Sequence, residues 1–313
     1  MKTTYLAALT LACLASTNSH AAADMAGTQA PGYYRMMLGN FEVTVLNDGT
    51  MDLPVDQLLN QDPKTTLTQL KQVHASSPLE TSDNAFLINT GKKLVLIDAG
   101  AGANVPTLGG MLKNLAAAGY SPEQVDEIYI THMHPDHVGG LIKDGKAVFP
   151  NAIIRADKAE VGYWLSESEM AKAPEAKQGY FKAAMAALAP YQAAGKIKPF
   201  SGETALMDGI SAEPAHGHTP GHSTYKVTSE GQTLMVLGDL MHVAAVQFAH
   251  PDVTIKFDSD NVAAEAQRQT IFKQIAESGV IMSATHLQFP ALGYLNADGN
   301  GYRWVPVNYQ RMR

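Results

Sequence analysis

Three imidazoles and a carboxylate crowd into His132-Met133-His134-Pro135-Asp136-His137, directly after the apolar stretch 125–130. Polar, ionisable groups at the end of a buried strand need partners, and a cluster of this composition finds them most readily in metal ions. Strand alternation puts His132 and His134 on one side as the strand ends. Pro135 then starts a turn that aims Asp136 and His137 at a neighbouring point, so one loop can serve two adjacent cation positions. A lone histidine is more often a surface or satisfied core residue. At this density, borderline divalent cations, which favour imidazole and carboxylate ligands, are the better reading. Gly139-Gly140 follows and lets the backbone pass close to a crowded centre.

Such a site needs further ligands from other strand ends, and the chain offers His218 in Gly217-His218-Thr219-Pro220-Gly221-His222, Asp239 in Leu237-Gly238-Asp239, and His286 in Ser283-Ala284-Thr285-His286. Each alone reads equally well as a cap or turn residue. Together with the first motif they complete two coordination sets, and a carboxylate such as Asp239 has two oxygens with which to bridge them. The only cysteine is Cys13, so the ligands are nitrogen and oxygen.

Residues 1–21 read as a secretory leader. Lys2 gives a positive start, 6–15 an apolar run, and Ser19-His20-Ala21 a small-residue cleavage site. The run falls well short of the roughly 20 residues of a membrane span, and Thr10 stands where a lipoprotein signal before Cys13 calls for an aliphatic residue. Export to the periplasm or the medium is therefore expected. After an N-terminal arm over 22–35, residues 36–313 are expected to form a single domain that carries the metal cluster. The whole chain is 45% hydrophobic and 17% charged, an ordinary globular composition. With 30 acidic against 23 basic residues and no basic run, nucleic acid and anionic membrane surfaces make poor partners.

Alternation over 41–46 runs into Asn47-Asp48-Gly49, which predicts a hairpin turn. Residues 54–80 are helix-prone. Strands are expected at 84–89 and 93–98, and Leu94-Val95-Leu96-Ile97 within the second is an unbroken apolar run of the kind covered on both faces. A helix over 106–118 and a strand over 125–130 complete a strand-helix-strand unit. Further helices are expected at 158–166, at 174–189 with Pro190 ending it, and at 262–278. Short strands are expected at 212–214, 224–228, 234–237 and, as the last, 280–284.

In this order the site residues resemble the metallo-β-lactamase superfamily, whose dinuclear hydrolases use His-x-His-x-Asp-His, a later His, a bridging Asp and a last His. The resemblance implies an α/β fold, an αββα sandwich of two mixed β-sheets between helices. It also implies two divalent metal ions, zinc first, with Mn2+, Co2+ or Fe2+ as alternatives. One ion would take His132, His134 and His218 and the other Asp136, His137 and His286, with Asp239 shared. Asp239 would hold the metal spacing and Asp136 would hydrogen-bond the hydroxide between the ions, the two catalytic assignments. Behind the ligands, Asp98 would accept a hydrogen bond from a ligating imidazole and His222 would orient the Thr219-Pro220 turn. His74, His216 and His250 are left as surface or structural residues.

Several runs outside the metal motif narrow the resemblance to the methyl parathion hydrolase branch: Ala30-Pro31-Gly32-Tyr33-Tyr34-Arg35-Met36, the stretch 122–131, Val243-Ala244-Ala245-Val246-Gln247-Phe248 and Val305-Pro306-Val307-Asn308-Tyr309. This branch implies an exported, dimeric hydrolase of organophosphate triesters, with lactones and aryl esters as the alternative. Trp164, Tyr180 and His242 would wall the substrate pocket. The chain departs from the branch in two places: the 101–105 loop lacks an expected aromatic residue, and His242 stands where an aliphatic one is expected. Less favoured readings remain. A glyoxalase II-type thioesterase would carry more basic residues near its C-terminus than Arg303, Arg311 and Arg313, and a β-lactamase would place its last histidine differently. A non-catalytic metal-binding scaffold would have lost ligands, and none of the seven is missing.

Overall fold

The computed structural model describes residues 23–103 and 105–312, so the expected leader with Cys13, and Asn104 of the 101–105 loop, lie outside the described residues. Contacts divide the chain into a short piece, Met1–Ala30, and a folded unit, Pro31–Arg313. The first half of that unit runs β1 (Tyr33–Leu38), β2 (Phe41–Leu53), α1 (Val55–Leu58), α2 (Pro63–Gln72), β3 (Leu79–Asn89), β4 (Leu94–Ile97), α3 (Met111–Ala117), β5 (Glu127–Tyr129) and α4 (Pro135–Val138). A small hairpin, β6 (Ile142–Lys143) and β7 (Lys146–Ala147), leads to β8 (Ile153–Arg155), α5 (Lys158–Trp164), α6 (Glu167–Lys172) and α7 (Glu175–Ala193). The second half runs β9 (Thr204–Met207), β10 (Ile210–Pro214), β11 (Ser223–Ser229), β12 (Gln232–Val236), α8 (Ala244–Gln247), α9 (Asn261–Ser278), β13 (Ile281–Ser283), β14 (Leu292–Asp298) and β15 (Gly301–Pro306).

Period-two alternation sorts the central strands into two buried faces, and this fixes the layers. Phe86, Ile88, Val95 and Ile97 pack inward against Ile210, Tyr225, Val227 and Val236 of the opposite sheet. Their neighbours Ala85, Leu87, Leu94 and Leu96 face outward and are covered by Met111 and Leu115 of α3 and by Phe181, Ala184 and Leu188 of α7. On the far side, Met235 and Met282 are covered by Ile271, Phe272 and Ile275 of α9. The result is an αββα sandwich. The first sheet has the order β1-β2-β3-β4-β5-β8 and the second β15-β14-β13-β12-β11-β10-β9. Both are mixed: β4, β5 and β8 are mutually parallel in one, and β12 is parallel to β13 in the other.

Several sequence expectations are corrected. Asn47-Asp48-Gly49 makes no hairpin; β2 continues through it to Leu53 with a shift of register against β3. The reason is Asp48, whose buried carboxylate accepts backbone N–H bonds from Ala101 and Gly109 (both 2.9 Å) and Met111 (2.8 Å). The triplet is a bulge that ties down the 101–111 loop. For the same reason the helix expected from 106 begins only at Met111. β1 begins at Tyr33, so the folded unit takes in residues assigned to the arm. Pro190 lies inside α7, where the final turn is held by buried Tyr191, whose hydroxyl donates to the Leu141 carbonyl and accepts from the Phe149 N–H (both 3.1 Å). Two strands follow the expected last one. β14 and β15 form an edge hairpin whose half-exposed faces carry a weak apolar pattern. Among the described residues no helix is long and apolar enough to cross a membrane.

Candidate metal centre

Each sheet has parallel neighbours in its interior, β4 with β5 and β12 with β13, and parallel neighbours release their exit loops at the same end. Asp98 follows β4 and His132 follows β5 in the first sheet, while Asp239 follows β12 and His286 follows β13 in the second. His134 caps α4 in extended backbone, and Pro135 at the first helical position swings Asp136 and His137 to the other side. His218 arrives from the β10–β11 loop. Glycine is required at two approaches. A Cβ on Gly140 would lie 1.9 Å from the Ala99 carbonyl, and one on Gly238, which sits at φ +55°, would lie 2.8 Å from His222 Nε2.

The side chains converge as two groups, His132, His134, His218 and Asp239, and Asp136, His137, Asp239 and His286, with the donor atoms of each within 4.8 Å of one another. In the first group, His218 Nε2 lies 3.2 Å from His132 Nε2 and 3.1 Å from His134 Nδ1, and Asp239 Oδ2 lies 3.6 Å and 3.5 Å from the His132 and His218 nitrogens. A tetrahedron with metal–nitrogen bonds of about 2.0–2.1 Å has edges of about 3.3 Å. In the second group, His137 Nε2 lies 3.2 Å from Asp239 Oδ1, and His286 Nε2 lies 3.1 Å from Asp239 Oδ2 and 3.7 Å from Asp136 Oδ2. His137 Nε2 and Asp239 Oδ1 are both buried with no hydrogen-bond partner among the described residues. Buried polar atoms are rarely left so, and here a cation is the partner that fits.

The outward nitrogens are anchored. Asp98 Oδ2 lies 2.8 Å from His137 Nδ1, and Asp258 Oδ1 lies 2.9 Å from His218 Nδ1. A carboxylate only accepts, so both rings carry a proton on Nδ1 and turn Nε2 to the centre as the atom that would hold a cation. His286 Nδ1 likewise donates to the Ser82 carbonyl at 3.1 Å. Asp98 also receives the Thr131 N–H (2.8 Å) and hydroxyl (2.7 Å), and it sits in left-handed backbone at φ +58°. His222 does not orient its own turn; its Nε2 accepts the Asp239 N–H at 3.1 Å while Nδ1 faces the Ala215 carbonyl. Burial lowers His222 to about 4, which keeps it neutral for that role.

The two groups differ in charge. Burial holds His132, His134 and His218 well below the ordinary histidine range, with neighbouring imidazoles adding to the effect. Burial also opposes charge on His137 and His286, but Asp239 and the other nearby carboxylates override it, raising His137 well above its ordinary value and His286 to about 9. Asp239 is the counterpart: burial works to raise it, and the surrounding imidazoles, His137 and His286 foremost, hold it well below the carboxylate range.

Of the expected pocket residues, Tyr180 and His242 line the cavity over this centre, whereas Trp164 sits behind His134, ring centroids 5.3 Å apart, and lines a neighbouring slot. His242 Nε2 lies 3.1 Å from Asp239 Oδ2, and its buried Nδ1 has no partner among the described residues. His216 stands outside the cluster, 3.8 Å from Asp157. Sequence reasoning missed three supports. Asp258 lies in an Asp-rich turn before α9 that reads only as capping, and Asp48 is hidden by its turn signal. Glu160, buried on α5, accepts from Met133 N–H (2.8 Å), Thr219 hydroxyl (2.7 Å) and Gly221 N–H (2.8 Å), clasping two ligand loops together. Burial pushes Glu160 up to about 7, with those three bonds pulling back.

Sandwich, ligand order and geometry define a class, and comparison with known proteins agrees. Residues 80–286 match the profile of the Metallo-beta-lactamase superfamily, and the chain belongs to that family. The hydrolase AbOPH of the beta lactamase superfamily is 38% identical, with a TM-score of 0.87 over 91% of this chain and 100% of that one. AidC, a dizinc quorum-quenching lactonase solved with a product, is 29% identical, with a TM-score of 0.82 over 90% of this chain and 99% of that one. Ribonuclease TTHA0252 of Thermus thermophilus is 30% identical over 166 residues, which are 51% of this chain but only 36% of that protein. The shared Asp239 and the two donor groups fit a dinuclear metal site.

Proposed function

We propose that the protein is a dinuclear metal-dependent hydrolase of uncharged carboxylic esters, with lactones and aryl esters bearing apolar groups as its substrates. The observation that carries this reading is the cavity over the metal centre, about 320 Å³, walled by Met51, Leu53, Val105, Tyr180 and Phe257, with no lysine or arginine among the described residues of its lining. An anionic phosphodiester would enter against apolar walls and carboxylates with no cationic side chain to replace its water. That argues against a nuclease substrate despite the likeness to TTHA0252. An uncharged ester loses its water there at little cost. The likeness to the lactonase AidC supports the same class.

A pair of divalent cations held by the two donor groups would supply a water of lowered pKa and Lewis-acid polarisation of the ester carbonyl. Asp239 joins the two donor groups and sets their spacing, with His222 fixing its main chain. Tyr180 lies against His134, ring centroids 5.2 Å apart, and burial, with help from Asp136, keeps its phenol protonated. It is thus a hydrogen-bond donor for the carbonyl or departing oxygen. The water oxygen joins the acyl carbon, the ester C–O bond breaks, one of the water's protons goes to the leaving oxygen and the other to solvent, and the acyl group ends as a carboxylate.

An organophosphate triester is the second reading, since it too is uncharged and the sequence runs of the methyl parathion hydrolase branch favour it. His242 weighs against it. A polar imidazole in the cavity lining suits a polar ester or lactone group better than the apolar arms of a triester. We also place the enzyme outside the cytoplasm, on the leader-like 1–21, with small molecules rather than nucleic acid or membrane as its partners and a homodimer as its assembly. The test is kcat/KM for an aromatic lactone against an aryl dimethyl phosphorothioate on one metal-replete preparation. The lactone should be favoured by about a hundred-fold or more, on the order of 3 kcal/mol in barrier. Preference for the triester would overturn the ester reading, and turnover of either substrate that survives metal removal would overturn the metal-dependent one.

A further inference from the structure

Beside the metal-facing cavity lies a smaller one of about 70 Å³, and the two share His134, Tyr180 and Phe257 as a common wall. Tyr163 and Trp164 make its aromatic side, and Lys177 of α7 and Lys256 of the loop before α9 line it as well, with no Asp or Glu among the described lining residues. The lysine ion pairs of the fold lie elsewhere, at Lys93, Lys172 and Lys273. Asp56, across a surface groove on the other side of Lys256, is engaged by the Ser77 hydroxyl. Two lysines with no ion pair among the described residues, both on one aromatic slot, stand out in a chain with 30 acidic and 23 basic residues. Ammonium groups at the lip of low-dielectric walls focus their field into the slot and favour an anion with an apolar stem.

We propose that this slot is the subsite for an anionic end of the substrate, remote from the ester bond that is cleaved. The substrate is then uncharged where it reacts and carries a carboxylate at the far end of its acyl arm. The division matches the two cavities, one without a cationic side chain and one with two. The size agrees as well. A water's share of liquid volume is about 30 Å³, so the slot takes a carboxylate with a methylene and not a second ring. The inference rests on the reading of the centre as an ester hydrolase.

The experiment compares mono-4-nitrophenyl glutarate with 4-nitrophenyl pentanoate, which differ in a carboxylate against a methyl group, on the metal-loaded full chain. In the Lys177→Gln/Lys256→Gln double variant, kcat/KM for the glutarate should fall about five-fold, mainly through KM, while the pentanoate stays within about two-fold. For the unaltered protein, raising salt to about 0.5 M should erode the glutarate's advantage alone, because a partly exposed ammonium is screened. Equal change on both esters, or a glutarate rate indifferent to salt and to the variant, overturns the subsite. Metal-dependent turnover of the pentanoate is the control. If it is present the centre stands whatever the lysines do, and if it is absent the ester-hydrolase reading falls instead.

Discussion

The two donor groups share a carboxylate yet are built differently. His132, His134 and His218 are buried imidazoles kept neutral by desolvation, with bare nitrogens already at the edges of a tetrahedron. The other group includes Asp136, whose side chain is 22% exposed and so open to the cavity and to water. Its two imidazoles are held by Asp239 in the range where they carry protons before any cation arrives. One position is dry and preformed, and the other is wetter and must exchange protons for its ion. A two-ion hydrolase can use this difference, since the open position has room for a substrate oxygen while the closed one keeps the frame.

Asp239 is the one residue on which both positions depend, so it breaks the comparison most completely. Asp239→Asn should empty both positions and lower kcat/KM by about a thousand-fold or more. The measurement is metal content alongside esterase rate, with far-UV dichroism to show that the fold persists. Two ions retained with full activity would remove Asp239 from the centre.

The anchoring carboxylates separate the two positions. Asp258→Asn should weaken the first position and Asp98→Asn the second, each by about ten- to a hundred-fold in metal affinity. Asparagine tolerates the left-handed backbone at residue 98, so the change acts on the hydrogen bond and not on the loop. A chelator titration with two resolved phases reads this directly. The separation will be imperfect, because the Thr131 hydroxyl held by Asp98 also lies 3.2 Å from His132 Nδ1. If both variants weaken the same phase, the assignment of the anchors fails.

Much of this was legible in the chain. The apolar run Leu94-Val95-Leu96-Ile97 announces a strand covered on both faces, and the His-x-His-x-Asp-His spacing survives as geometry because a strand end and a Pro-started turn are local features. Less legible were the contacts that cross between loops. Asp48 looks like turn chemistry, yet its carboxylate gathers three backbone N–H groups from a segment more than fifty residues away. Glu160 sits in an ordinary amphipathic helix with no local sign that it clasps Met133 and Gly221. β14 and β15 escaped because an edge hairpin with half-exposed faces carries little periodic signal. Local patterns report ligands and core faces, while the groups that position ligands are chosen by the tertiary fold.

Proton exchange offers the mildest way to sharpen the contrast. His286 in the metal-free centre rises to about 9, above the ordinary 6.5, so below about 9 an incoming cation must displace its proton, and His137 shifts in the same direction. Affinity at the second position should therefore fall by about ten-fold for each of the two imidazoles that must give up a proton, about a hundred-fold in all, as pH drops from about 8 to about 7. The first position, with neutral imidazoles, should hardly change. The sign for the metal-free fold is opposite. A histidine whose folded value is raised lends stability that is full below about 6.5 and is lost as pH climbs through about 9. Chelated protein should thus melt lower at pH 9 than at pH 6.5 while the loaded protein does not. Two binding phases with the same pH slope would mean that the positions are electrostatically alike.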